Sequence, residues 1–273
     1  MNKIKLLLFS ILLILMNSCN SNSQHEKNDN LIFKDDKGNQ ILLSDLEGVT
    51  GTYNWQIMDD KTISNEAQQL HQEARQHGGK GEYKLSIKKL KKANELAPDW
   101  AYPVYDLAYT YLLQEDYANA LKYYKITDEM EPKGFFTAKT AYWCLKKEKE
   151  GTFQEGLYLA FMQIEWMNSD EEKLQMANAI VGKYPEYAPA WEVIASKSSD
   201  NEERLNAIEK GLNADLDAGT KGMLLINKAL IKDVQEKTEE AKQILGKLIF
   251  DEETTLGNVE MAKLVLSSIA NRN

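Results

Sequence analysis

The chain has 273 residues, enough for one sizeable domain or a short solenoid, and its 43% hydrophobic and 27% charged residues are an ordinary globular mixture. Its formal charge is −9 at pH 7, with 33 basic residues interleaved among 42 acidic ones. Phosphate neutralisation needs clustered Lys and Arg, so this balance excludes nucleic acid as the expected partner.

In chain order, Lys3 and Lys5 precede residues 6–16, a run that is apolar except for Ser10, and Asn17-Ser18-Cys19 follows at once. The run is too short to span a bilayer as a stable helix, so residues 1–18 read as an export signal. The sequence Leu15-Met16-Asn17-Ser18-Cys19 resembles a bacterial lipoprotein signal, in which a small residue precedes a Cys that is lipidated and becomes the new N-terminus. That resemblance implies lipidation of Cys19, membrane attachment through the lipid, and a place in the bacterial cell envelope, on the outer or inner membrane and facing the periplasm. An ordinary secretory signal, or a retained N-terminal anchor, is the alternative. Residues 19–30 lack apolar periodicity and fit a disordered tether. With only Cys19 and Cys144 in the chain, no disulfide framework is expected, and Cys144, beside Trp143 in a helical apolar pattern, reads as a small buried residue.

Residues 31–63 are the strand-like part. Leu31-Ile32-Phe33-Lys34 and Ile41-Leu42-Leu43 flank a turn-rich stretch and predict a hairpin, and residues 49–57, with Tyr53, Trp55 and Ile57 alternating, could add a third strand. Residues 33–48 are faintly similar to the opening of thioredoxin-like domains, but no Trp-Cys-x-x-Cys follows, which rules that reading out.

From Ser64 onward the pattern is helical and repeats. Tyr83 and Tyr117, Ser86 and Ala120, and Pro98 and Pro132 are each 34 residues apart. Within 101–134 stand Ala108, Tyr111, Glu115-Asp116-Tyr117, Ala120, Tyr124, Thr127 and Pro132. This spacing resembles the tetratricopeptide repeat, from which only Glu115 (for Gly) and Thr127 (for Ala) depart. The preceding unit, 67–100, is a weaker copy with Ala74, Gly81, Tyr83, Ala93 and Pro98. Small side chains let two antiparallel helices approach while bulky ones fill the gaps, and proline ends the second helix. The expected fold is therefore all-α, an α-α superhelix of tetratricopeptide-like helical hairpins with a short N-terminal β-like segment.

Toward the C-terminus, Trp191 and Leu225, Ala195 and Ala229, and Ala207 and Ala241 are again 34 apart, which predicts pairs at 188–214 and 222–250 and a capping helix at 257–270, completing a repeat domain over 64–273. Ala108 and Ala195 are 87 apart, two repeats plus 19, so an odd helix is expected within 135–184, with 135–148 favoured. Thr152 to Glu155, Ser169 to Glu172 and Ser199 to Glu202 have capping-box spacing.

No hydrolase, zinc-protease, phosphate-loop or dinucleotide motif is present, so an enzyme, a cofactor and a metal site are not expected. The Gly78-Gly79-Lys80-Gly81 stretch falls at the turn of the first hairpin, and His71 and His77, six apart, lie on opposite sides of one predicted helix. The remaining candidate is a groove. In tetratricopeptide arrays the first helix of each pair lines the concave side. The resemblance carries that role to Tyr102, Tyr105, Tyr109, Leu112 and Leu113, to Gln68, His71, Arg75, Gly78 and Gly79 in the unit before, and, if the frame persists, to Phe136, Lys139 and Trp143. The tyrosine stripe is either packed within the stack or presented as peptide anchors. Asp106 stands where peptide-carboxylate clamps of the family use Asn. The expected function is a protein- or peptide-binding module, the alternative being a structural subunit or adaptor that acts through convex surfaces or through 31–58.

Overall fold

The computed structural model describes residues 31–34, 54–57 and 62–271. The export signal, Cys19, the tether and residues 41–43 lie outside the described residues. Strand β1 (Leu31–Lys34) pairs antiparallel with β2 (Asn54–Ile57), Leu31 opposite Ile57 and Lys34 opposite Asn54. The first expected strand thus pairs with the third.

The remainder is helical. The first hairpin is α1 (Asn65–Gly79) and α2 (Tyr83–Leu96), the second α3 (Ala101–Leu113) and α4 (Tyr117–Met130). Ser64 starts α1 by accepting the Ala67 N–H at 3.3 Å, and Asp116 starts α4 by accepting that of Asn119 at 3.1 Å. Pro98 and Pro132 follow α2 and α4, and Pro103 and Pro189 sit in first turns, where a missing amide proton costs nothing. The turns inside both hairpins need a left-handed residue: Gly81 has φ 77° and Glu115, 34 residues on, has φ 59°. Thr127, the other departure from the repeat pattern, is wholly buried and satisfies its hydroxyl on the Tyr123 carbonyl at 2.9 Å.

Helix α5 (Ala138–Lys149) packs on α4 as α3 packs on α2, but it touches the short helix that follows only slightly and so forms no regular hairpin with it. The next stretch is irregular: α6 (Leu157–Met162) lasts six residues and runs into the 3₁₀ segment Gln163–Trp166. Glu148 starts α6 from across the turn, accepting the N–H groups of Gly156 at 2.8 Å and Tyr158 at 2.6 Å. Then come α7 (Asp170–Lys183), α8 (Ala188–Lys197), α9 (Asn201–Asn213), α10 (Ala218–Val234), α11 (Thr238–Phe250) and α12 (Leu256–Asn271), each packed on the next. Helices α8 and α9 pack together, as do α10 and α11, and α12 packs on α11 and α10. Ser169 caps α7 through the Glu172 N–H, as its spacing implied. Asp200, not Ser199, caps α9, because its carboxylate accepts from both Glu202 and Glu203. Thr152 caps nothing, since α6 starts only after Gly156 at φ 86°.

Ala74, Ala108, Ala120, Ala195, Ala229 and Ala241 are all wholly buried, and one core cluster runs from α1 to α10 while a second fills α10 to α12. The C-terminal helices are tied back to α5. Thr140 Oγ1 donates to Asp217 at 2.8 Å, Lys147 pairs with Asp215, and the Leu256 N–H donates to the Lys133 carbonyl at 2.7 Å. Strand β1 lies beside α12. Among the described residues no helix is long and apolar enough to cross a membrane.

Candidate functional site: an aromatic face

Residues three and four apart on a helix share a face, so α3 carries Tyr102, Tyr105 and Tyr109 as one half-buried stripe. Tyr102 packs edge-on against Phe135 at 4.9 Å and Phe136 at 5.6 Å between ring centres, and against His71 of α1 at 6.0 Å. Tyr105 lies 5.4 Å from Phe136 and 5.7 Å from Tyr124, and its hydroxyl is 2.8 Å from Thr137 Oγ1. Desolvation pushes the Tyr105 phenol well above its usual range and that of Tyr109 up to about 12, so both are neutral hydrogen-bonding groups. Beside the stripe, Asp106 accepts from His71 Nε2 at 2.8 Å and faces Arg75 Nε at 3.8 Å. The residue that replaces the clamp Asn is thus engaged with α1.

Three of the expected positions go elsewhere. Leu112 is wholly enclosed and belongs to the core. Lys139 turns to α4 and pairs with Asp128 at 2.7 Å. Trp143 packs on Phe153 at 5.8 Å and Tyr187 at 6.5 Å, away from the stripe. The cause for Lys139 and Trp143 is a one-residue slip: Ala74 and Ala108 are 34 apart, but Ala141, equally buried, follows Ala108 by 33. One residue turns a helix by about 100°, enough to move a side chain to the neighbouring face. The slip occurs at Gly134, φ 99°, and Phe136, φ 46°, just after Pro132. Phe136 still reaches the stripe because it precedes the first turn of α5.

Residues that the repeat frame could not supply complete the face. Trp100 packs edge-on against His71 at 4.8 Å between ring centres, and Phe135 meets both Tyr102 and Tyr105. The irregular stretch after α5 packs on α4, α5 and α7. Tyr158 is buried 6.4 Å from the Tyr124 ring, and the Trp166 indole opposes the rise of the Tyr109 phenol. Trp166 is nevertheless 46% exposed, an aromatic rim beside the stripe. The repeat spacing signals none of this, because 157–166 lies outside the repeat.

Elsewhere, His77 Nδ1 is 2.5 Å from Glu82 Oε2, so the two helical histidines have separate partners. Cys144 is enclosed beside the Tyr187 hydroxyl at 3.3 Å, and burial pushes its thiol well up, which makes it a poor nucleophile. Among the described residues no three His, Cys, Asp or Glu side chains gather at one point.

No known protein family and no curated protein matches the chain. Solved structures similar to it include MamA 41-end from Desulfovibrio magneticus RS-1, at 12% identity over 74% of this chain and 99% of that one, with a TM-score of 0.33. A MamA RS-1 ArsTM double mutant matches at 12% identity over 74% and 97%, TM-score 0.33. The flexible tandem repeat domain of a bacterial cellulose synthase subunit matches at 18% identity over 73% and 97%, TM-score 0.46. The repeat assignment rests on this chain's own helix packing. Its fold is tetratricopeptide-like.

Proposed function

We propose that this protein is a non-enzymatic protein- or peptide-binding module of the bacterial cell envelope, anchored by lipid on Cys19 and facing the periplasm. The observation that carries the binding role is the convergence of Tyr102, Tyr105, Tyr109 and Phe136 on one face, with Trp166 half-exposed at its rim. Aromatic side chains give large contact area for little lost rotamer entropy, which suits anchors for a peptide. A photo-crosslinking residue in place of Phe136, in cells, should give discrete adducts, while the same residue at Leu85, exposed on α2, should give none. Equal labelling from both positions would remove the groove. The anchor is tested separately: an alkynyl fatty acid should label the wild-type chain and not Cys19→Ser.

A second reading, a structural subunit or adaptor of an envelope assembly, is favoured by Phe250, 86% exposed at the end of α11. Deleting 31–58 separates the two, because an adaptor using that segment loses its complex while crosslinking from Phe136 persists.

A further inference from the structure

Helix α2 departs from the charge of the chain around it. The protein carries −9 overall, yet residues 80–92 hold six lysines and one glutamate. At about 100° per residue, Lys91, Lys84, Lys88, Lys92, Leu85 and Leu96 fall in that order within an arc of roughly 140°. That arc lies on the side of the helix away from buried Ser86, Leu90 and Ala93. Leu85 is 48% and Leu96 38% exposed. Lys89 and Lys92 are paired, with Glu73 at 2.6 Å and Glu95 at 3.2 Å, whereas Lys84, Lys88, Lys91 and, on α4, Lys122 meet no carboxylate among the described residues. Rings carry the patch on to α4: Lys91 Nζ stands over Tyr111 at 5.9 Å, Tyr111 stacks on Tyr123 at 5.5 Å, and Lys122 Nζ stands over Tyr123 at 5.3 Å. Tyr111 follows Tyr102 by nine residues, half a turn in phase, so this surface lies across α3 from the tyrosine stripe.

We infer that this face of α2 and α4 docks on a membrane surface bearing anionic phospholipids, with the unpaired ammonium groups at the headgroup phosphates and Leu85 and Leu96 at the edge of the acyl region. Charge complementarity selects an anionic occupant. An acidic polypeptide would match the lysines alone, whereas a bilayer interface also takes the two leucines that border them, and the long lysine stems lie along apolar surface while their heads stay at the polar layer. The acidic remainder of the chain does not prevent the contact, because at physiological salt charges farther off than about 8 Å are largely screened. The proposal lies outside the groove and takes only nearness to a bilayer from the anchoring reading: β1 begins twelve residues after Cys19, an extended reach of at most ~40 Å.

Acetylation rates of single lysines in the full chain, read by mass spectrometry, test this with vesicles of phosphatidylglycerol and phosphatidylcholine in equal parts and with vesicles of phosphatidylcholine alone. On the anionic vesicles Lys84, Lys88, Lys91 and Lys122 should react at least about threefold more slowly, and about 0.5 M salt should remove the difference. Lys247, exposed on α11, should react equally on both. Leu85→Ser combined with Leu96→Ser should lose most of the protection. Equal rates on the two vesicles, the same slowing at Lys247, or protection as strong from soluble polyglutamate overturns the membrane surface, and the last of these assigns the patch to an acidic chain instead. The comparison needs neither the lipid nor the groove, so an unlabelled Cys19 or a silent crosslinker at Phe136 removes those readings and leaves this one to stand or fall alone.

Discussion

Replacing Glu192 by Gln keeps the shape of the side chain and removes its titration. In the folded chain the carboxyl binds its proton up to a pH of about 8, whereas its ordinary value is 4.5. Between these limits the native state holds a proton that the unfolded state has released, so stability falls as pH rises. The slope is about 1.4 kcal/mol per pH unit for one proton. From pH 5.5 to 7.5 that amounts to roughly 2–3 kcal/mol, and above pH 8 it levels off because both states are then ionised. Urea unfolding of wild type and Glu192→Gln at pH 5.5, 6.5, 7.5 and 8.5 isolates the contribution, since all other groups cancel in the difference. The variant should gain on the wild type with each step to about pH 8 and hold its advantage beyond. A difference that stays constant across the series would mean that Glu192 is solvated or paired in solution, and the reasoning from its burial would fail.

Three further outcomes are expected. Glu115→Gly should raise stability by up to about 1 kcal/mol in urea melts, because Glu115 occupies the left-handed turn position that Gly81 fills in the first hairpin. Leu107→Ala, at a side chain 1% exposed within α3, should cost about 2–5 kcal/mol and lower Tm while leaving far-UV helicity at low temperature unchanged. Asp217→Ala should cost about 2–4 kcal/mol and raise hydrogen exchange in 138–149, since that carboxylate caps α10 through Gly219 and Thr220 and also holds Thr140 of α5.

The site is legible in the sequence only in part. The stripe Tyr102, Tyr105, Tyr109 and its neighbour Phe136 follow from helical spacing and the repeat frame. Lys139 and Trp143 fall off the face because the frame does not continue unchanged past Pro132, where Gly134 and Phe136 take positive φ and shorten the repeat by one residue. Leu112 shares the expected frame with the stripe, yet its side chain closes into the core beside it. Trp166 carries no repeat signal at all, and still it forms the rim.

What the sequence alone determined is therefore the nearest-neighbour architecture: the 34-residue period, the buried alanines, the prolines at helix ends, and the capping helix. Those features encode contacts between helices adjacent in the chain, where spacing and side-chain size suffice to specify packing. The tertiary structure decided the position of the irregular piece at 157–166, its packing on α4 through Tyr158, and the ties of Thr140 to Asp217 and Lys133 to Leu256. These ties join residues 77 and more positions apart. No local periodicity carries such pairings, because they depend on how the two halves of the array meet after the repeat is broken.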